Sequence, residues 1–323
     1  MPTAPIREFA ATIESIRAAA KRIAPYAHRT PVLTSRTLDE RTGRSLHFKC
    51  ELFQRVGAFK FRGACNAVMK LPDEVAARGV VTHSSGNHAQ ALALAAQLRG
   101  IRAHVVMPAD SAAVKKIAVQ GYGAEVIECR PTLADREKVV AEVAARTGGT
   151  LIPPFDHPDV IAGQGTIAVE LLEQVPDLDA IVVPVGGGGM ISGVAIAAKS
   201  IKPTIRVYGA EPTAVADAAL GKRTGKLEKA TEKPTIADGL RTSLGELTFP
   251  VVQALVDEIL TVDEHEIVAA MRLVWERMKI LIEPSAAVGV AAVLKSPPRE
   301  CRIGIILCGG NVDLDALPWH SPR

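Results

Sequence analysis

Four consecutive glycines, Gly186 to Gly189, set the strongest constraint on how this chain can fold. They follow the apolar run Ala180-Ile181-Val182-Val183-Pro184-Val185, which predicts a buried parallel strand. They precede Met190-Ile191-Ser192-Gly193-Val194-Ala195-Ile196-Ala197-Ala198-Lys199, which predicts a helix. Glycine is required where backbone takes positive φ or approaches a ligand closely. Successive unbonded N–H groups at a helix N-terminus form an anion site. The pattern therefore predicts a phosphate cradle at the carboxyl end of a strand. It matches neither common nucleotide cradle, because no G-x-G-x-x-G reads across it and no Lys-Ser/Thr follows it. A plain strand-to-helix turn is the other reading of these four residues taken alone.

Elsewhere, apolar runs of strand length alternate with helical patterns. Strands are predicted at 46–52, 79–83, 103–107, 124–128, 180–185, 205–210 and 303–307. Helices are predicted at 11–24, 60–71, 87–99, 112–121, 132–147, 163–175, 189–200, 264–279 and 284–295. This alternation specifies β-α-β units and parallel sheets, so the expected class is α/β. Residues 75–152 hold three strand–helix units in quick succession, closed by Gly148-Gly149 and Pro153-Pro154. They are expected to form a small domain inserted into a large one built from 1–74 and 153–323. The polar segment 221–235 is expected to be a surface loop. Ligands of open α/β sheets bind at strand carboxyl ends near a crevice, and the motifs below fall at such positions.

Composition narrows the function. The formal charge is only +3, with basic residues scattered, so neither nucleic acid nor an anionic membrane is an expected partner. Two Trp, three Tyr and seven Phe are too few for base-stacking platforms. No apolar run reaches membrane-span length, and the polar start Met1-Pro2-Thr3-Ala4-Pro5-Ile6-Arg7-Glu8 lacks a signal-peptide core. Cys50, Cys65, Cys129, Cys301 and Cys308 are scattered and odd in number, which suits a reducing cytoplasm. Zinc-type ligand spacing is absent, so a catalytic transition metal is not expected.

Three further segments carry chemistry. In Arg55-Val56-Gly57-Ala58-Phe59-Lys60-Phe61-Arg62, Lys60 sits where a helix begins, between two aromatics. The helix dipole and desolvation by Phe59 or Phe61 should both lower its pKa, which makes a lysine nucleophilic. Thr82-His83-Ser84-Ser85-Gly86-Asn87-His88 follows a strand and opens an Ala/Leu-rich helix. It has more polar and Gly residues than a helix cap needs, and presents donors suited to a carboxylate. The last strand ends in Cys308-Gly309-Gly310-Asn311-Val312-Asp313, another glycine-rich strand end. An apolar-pocket lysine, a phosphate cradle, a carboxylate loop and a strand-end polar group are together the parts of a pyridoxal-phosphate site.

At this point the chain resembles the fold-type II pyridoxal-phosphate enzymes of the serine/threonine dehydratase family. The resemblance rests on Glu51-Leu52-Phe53-Gln54, Gly57-Ala58-Phe59-Lys60, Thr82 to His88, Val183 to Met190 and Ile236-Ala237-Asp238-Gly239. Val274 to Lys279, Ile282-Glu283-Pro284-Ser285-Ala286 and Gly309 to Asp313 extend it over almost the whole chain. It implies two open, twisted, mostly parallel sheets flanked by helices, a large and a small domain with the active site between them, and a homodimer. It implies Lys60 as the Schiff-base lysine and base on one face of the substrate Cα, and Ser85 as the base on the other face. By the same resemblance, Asn87 bonds the cofactor 3′-oxygen and Phe59 and Gly239 sandwich its ring. Gly186, Gly187, Gly188, Gly189 and Met190 hold its phosphate, and Glu283 and Cys308 complete the cofactor site. Ser84, Ser85, His88 and Thr242 face the substrate, and Arg136 is placed to grip a second carboxylate.

Two residues depart from the family pattern. Ala58 replaces the usual serine before Phe-Lys, and Cys308 replaces the serine usual opposite the pyridine nitrogen. A thiol, with a reference pKa of ~8.5, is expected to stay neutral there, which suits elimination and racemisation more than transamination. Glu211, Asp217 and the Val215 carbonyl match the family's Mg²⁺ or Ca²⁺ site, and two carboxylates with a carbonyl suit a hard cation. The implied activity is racemisation of serine together with its α,β-elimination. Dehydration of L-threonine or threo-3-hydroxyaspartate is the runner-up. The chain ends soon after Asp313, so no room is expected for a regulatory domain. A metabolite-binding protein on the same fold, and a nucleotide-binding protein using the glycines for its phosphate, are the rivals from other classes.

Overall fold

A computed structural model describes residues 9–319 except 112 and 232. In chain order the strands are β1 (Val32–Leu33), β2 (Ser45–Cys50), β3 (Val80–His83), β4 (Ala103–Pro108) and β5 (Glu125–Cys129). β6 (Thr150–Leu151), β7 (Ala180–Pro184), β8 (Arg206–Pro212), β9 (Glu258–Val262) and β10 (Arg302–Leu307) follow. Among the described residues they form two sheets, of order β1-β2-β10-β7-β8-β9 and β5-β4-β3-β6. All pairings are parallel except β1 with β2. This is the α/β architecture of two mostly parallel sheets read from the alternation. β7 is buried along its whole length, and β10 nearly so, because helices cover both faces of the larger sheet.

The helix Asn87–Arg99 shows how the sequence dictates placement. Its apolar residues lie on all sides rather than in one stripe, and Ala89, Ala91, Leu92, Ala93, Ala95 and Ala96 are all buried. A helix without a polar face belongs inside. The helix Pro158–Gln174 starts five residues before the predicted 163, with His157 as N-cap and Pro158 in its first turn. Its glycines do not break it. They admit close neighbours: a Cβ at Gly163 would lie 2.6 Å from Arg62 O. This contact seats the Lys60–Lys70 helix directly on the Pro158–Gln174 helix.

One correction concerns the segment 221–235. Its first four residues complete the helix Asp217–Thr224, which closes on Gly225 in the left-handed region. The topology puts the carboxyl ends of β2, β10 and β7 side by side. The carboxyl end of β3 and the exit from β6 reach the same crevice. The segments holding Lys60, Ser84 to His88, Gly186 to Gly189 and Cys308 each follow one of these ends.

Candidate active site

Lys60 opens the helix Lys60–Lys70. The chain just before it is tied to the end of β10: Ala58 bridges Gly309, and Phe59 N donates to Cys308 O at 3.0 Å. Lys60 Nζ donates to Pro154 O at 2.7 Å and lies 5.1 Å from the centroid of the Phe59 ring. Burial pulls its pKa from 10.5 down to about 8, against the opposing pull of Cys308 and Glu283. The ring beside the amine is that of Phe59. Phe61, the other expected desolvating aromatic, is instead buried in a cluster with Ala64, Val68 and Leu92.

Glu283, just before the helix Pro284–Lys295, is the centre of the polar network. Asn87 Nδ2 donates to its Oε1 at 3.1 Å and Oε2 at 3.2 Å, and Asn311 N donates to Oε2 at 3.2 Å. Asn311 Nδ2 donates to Asn87 Oδ1 at 2.8 Å, which fixes the orientation of the Asn87 amide. Cys308 Sγ lies 4.0 Å from Glu283 Oε1. Burial raises the Glu283 carboxyl from 4.5 to about 7, and raises the Cys308 thiol well above 9.0. Cys308 therefore keeps its proton at neutral pH, in the neutral form expected of it.

The glycine loop enters the helix Gly189–Ile201 through Gly188, whose φ of 82° is left-handed. Space is equally restrictive. A Cβ at Gly187 would run into the Phe155 ring, and one at Gly186 would lie 3.3 Å from Thr242 Oγ1. Thr248 Oγ1 donates to Gly187 O at 2.9 Å. Among the described residues, the amides of Gly186, Gly187 and Gly188 have no protein acceptor. Amides without partners at a helix N-terminus fit a phosphate. Met190 continues the first turn, and Gly239 N donates to Ser285 Oγ at 3.1 Å beside Gly186.

On the opposite wall, Ser84 N donates to Val106 O and Ser84 Oγ accepts from Gly86 N, each at 3.2 Å. Ser85, in the same turn, is partly accessible. The His88 ring is committed to a backbone carbonyl. Its Nε2 donates to Ile152 O at 3.0 Å, so the neutral ring leaves only a lone pair at Nδ1, which is buried without a partner. Burial, with Lys60 nearby, pulls its pKa down to about 3. At neutral pH this ring has no hydrogen to offer a carboxylate, whereas the His88 backbone N–H lies in the first turn of the helix Asn87–Arg99, where amides lack intrahelical partners. Arg136 lies on the helix Leu133–Thr147, its Nη2 donating to Pro131 O at 3.0 Å while Nε is buried without a partner. Its charge adds to burial in lowering the pKa of His83, at the end of β3.

Glu211 and Asp217 are both buried. Glu211 Oε1 accepts from Ala218 N at 3.1 Å and Oε2 from Ala219 N at 3.0 Å. Asp217 Oδ2 accepts from Leu244 N at 3.2 Å, while Oδ1 has no partner. Burial raises Glu211 to about 8 and Asp217 to about 6. Val215 lies in the 3-10 turn between them, Thr213–Val215. An orphan oxygen beside a second buried carboxylate suits a hard cation. Among the described residues, however, no group of three or more His, Cys, Asp or Glu gathers there or elsewhere.

A lysine made nucleophilic by burial, a glycine-built anion cradle and a neutral strand-end thiol, set at converging strand ends of two sheets, define a fold-type II pyridoxal-phosphate enzyme. Comparison with known proteins agrees. The family described as "Pyridoxal-phosphate dependent enzyme" matches residues 23–309, and the chain belongs to it. The chain is 54% identical over 321 residues to a serine racemase of Arabidopsis thaliana, covering 97% of each. It is 50% identical over 311 residues to a beta-hydroxyaspartate dehydratase of Paracoccus denitrificans, covering 96% of this chain and 99% of that one. The solved structure of maize serine racemase superposes with a TM-score of 0.93 at 50% identity, covering 95% of both chains.

Proposed function

We propose that this chain is a serine racemase that also dehydrates serine to pyruvate and ammonia. The observation that carries this reading is Asn87, at the end of the Ser84–Asn87 loop, held by Glu283 and Asn311 while the charge of Glu283 also acts on buried Lys60, in a chain with near full-length likeness to serine racemases. When bound, pyridoxal phosphate supplies the sink for the electron pair left as the Cα–H bond breaks. Lys60 Nζ removes the Cα proton on one face, and Ser85 Oγ delivers a proton on the other, inverting the centre. If the β-hydroxyl departs instead, hydrolysis yields pyruvate and ammonia, so one deprotonation serves both outcomes.

The amides of Gly186 to Gly189 and of Met190 would hold the phosphate, and Phe59 and Gly239 would flank the ring. Asn87, steadied by Glu283 and Asn311, would bond the 3′-oxygen, and Cys308, which keeps its proton, would stand beside the ring nitrogen. Ser84, Thr242 and the backbone N–H of His88 face the substrate carboxylate. Glu211, Asp217 and the Val215 carbonyl take Mg²⁺ or Ca²⁺. We take residues 75–152 as the small domain, and the enzyme as a cytoplasmic homodimer. Among the described residues no helix is long and apolar enough to cross a membrane.

Dehydration of 3-hydroxyaspartate is the second reading. Arg136, with its unpartnered Nε near the end of β3, favours it by offering a second carboxylate a bidentate partner. The deciding experiment compares wild type with Ser85→Ala on L-serine, with and without Mg²⁺, by chiral separation and pyruvate assay. Ser85→Ala is expected to lose D-serine formation by about 10²-fold or more and to keep much of the elimination. Unchanged D-serine formation would remove Ser85 from its role. Turnover of hydroxyaspartate far above that of serine would favour the second reading.

A further inference from the structure

The crossover from β6 to the helix Pro158–Gln174 carries no catalytic motif, and its two prolines read in the sequence only as punctuation. Its residues nevertheless touch His88, Lys60 and the glycine loop in turn. Ile152 O accepts from His88 Nε2 at 3.0 Å, and Pro154 O accepts from Lys60 Nζ at 2.7 Å. The Phe155 ring occupies the space a side chain at Gly187 would need, and Phe155 O would lie 2.9 Å from a Cβ at Gly189. Asp156 Oδ1 accepts from Leu247 N at 3.0 Å, and its carboxylate fills the space beside Gly245. Gly245 N in turn donates to Thr248 Oγ1 at 2.8 Å, and that hydroxyl donates to Gly187 O. The glycine loop is thus braced directly by Phe155 and, through the 245–248 turn, by Asp156.

We infer that Phe155 is the positioning residue of the phosphate cradle, fixing the shape of a loop that has no side chains of its own; this rests on the reading of Gly186–Gly189 as that cradle. Four glycines in succession confer the greatest backbone freedom a chain can have, so ordering them costs more than ordering other residues. Amides that must converge on an anion need their geometry imposed by a packed neighbour. A phenyl ring against the loop, with two side-chain torsions, does this at small entropic cost. The arrangement has a consequence for spacing. Pro154 O holds the lysine that meets the aldehyde end of a rigid cofactor, and the next residue braces the loop that meets its phosphate end. Adjacent residues therefore set the distance between the two anchoring points.

The test uses holoenzyme of the wild type, Phe155→Ala, Phe155→Leu, Gly187→Ala and the double variant Gly187→Ala/Phe155→Ala. Retention of pyridoxal 5′-phosphate is measured by dialysis with absorbance, and its bound phosphate by ³¹P NMR; pyridoxal, which lacks the phosphate, is the companion probe. Phe155→Ala should weaken pyridoxal 5′-phosphate binding about tenfold and move the ³¹P shift, with pyridoxal affinity unchanged and Phe155→Leu falling between. Gly187→Ala should weaken it about tenfold or more through collision with the ring. The double variant should bind better than Gly187→Ala alone, because truncation makes room for the added methyl. Wild-type affinity and ³¹P shift in both Phe155 variants would overturn the inference, as would losses that simply add in the double variant. Equal weakening of pyridoxal and pyridoxal 5′-phosphate would show damage to the fold and overturn it too. The underlying cradle reading fails separately, in the wild type, if pyridoxal binds as tightly as its phosphate; that result overturns both.

Discussion

Two clusters of buried and half-buried ionisable groups lie at opposite ends of one short stretch of chain, and they meet burial with different partners. The first surrounds Arg62, two residues after Lys60. Arg62 Nε donates to Glu51 Oε2 at 2.7 Å and Nη1 to Glu170 Oε1 at 2.7 Å, while Lys49 Nζ donates to Glu170 Oε2 at 2.8 Å. Thr30 O and Gln174 Oε1 complete the shell of Lys49. The carboxylates hold the Arg62 pKa up despite its burial, and the two cations hold Glu170 down. Only Lys49 is drawn down by burial, and it retains three acceptors. The second cluster is the site itself. There Lys60 falls to about 8, Glu283 rises to about 7, His88 falls to about 3 and Cys308 rises well above 9.0. Desolvation is the leading cause of each of these shifts. The difference lies in the partners. At Arg62 and Glu170, matched opposite charges outweigh desolvation and serve structure. Groups denied a matched counter-charge are driven toward their neutral forms, which is where proton transfer and nucleophilic attack begin.

The largest expected effect comes from removing the neutral-leaning amine. Lys60→Ala should reduce both racemisation and elimination by about 10³-fold or more, with the fold intact, because the amine that is lost is the proposed Schiff-base former and base. Borohydride should no longer fix cofactor to the protein. Residual turnover near wild type would place the lysine outside the chemistry. The matched cluster should break differently. Arg62→Met leaves Glu51 and Glu170 buried without their main partner, and breaking a buried pair costs about 3–5 kcal/mol. A thermal or denaturant melt should show that loss. A variant as stable as wild type would mean the quartet contributes no more than a packed apolar core would.

The parts of the site legible in the sequence were those written in consecutive residues. Gly186 to Gly189, Lys60 between aromatics and Ser84 to Asn87 announce their backbone needs locally, and the structure keeps them at strand ends. The longer strands also fall within a residue or two of their predicted bounds, since buried parallel strands are continuous apolar runs. β1 and β6, with two residues each, and the half-buried β9 leave no such run. Pro158 hid the true start of the helix Pro158–Gln174, because a proline that reads as a loop residue in sequence sits here in the first turn, behind His157 as N-cap. His88 shows what local pattern cannot contain. Its tautomer is set by the carbonyl of Ile152, 64 residues away. Phe155 likewise has meaning only once the crossover is laid against the glycine loop, and Glu283 becomes the hub only when Asn87 and Asn311 are brought to it.

The subtlest difference between the clusters is read by pH. Lys60 attacks an aldehyde only as the neutral amine, and burial lowers its pKa from 10.5 to about 8. Capture of pyridoxal 5′-phosphate by apoenzyme should therefore accelerate as pH rises, with a midpoint near 8, and level off above it. At pH 7 about a tenth of the amine is neutral, against about one part in three thousand for an unperturbed lysine. The linked effect on folding has a definite sign. A folded-state pKa below the unfolded value means that the unfolded chain binds more protons between pH 8 and 10.5. The cost of burying the charged amine is therefore fully present below pH 8 and is relieved as pH rises through that window. Apoenzyme should gain stability from this group there, and Lys60→Met should lack the gain. A capture midpoint near 10.5 would show the amine to be hydrated like a surface lysine, and would erase the contrast with Arg62 on which the comparison of the two clusters depends.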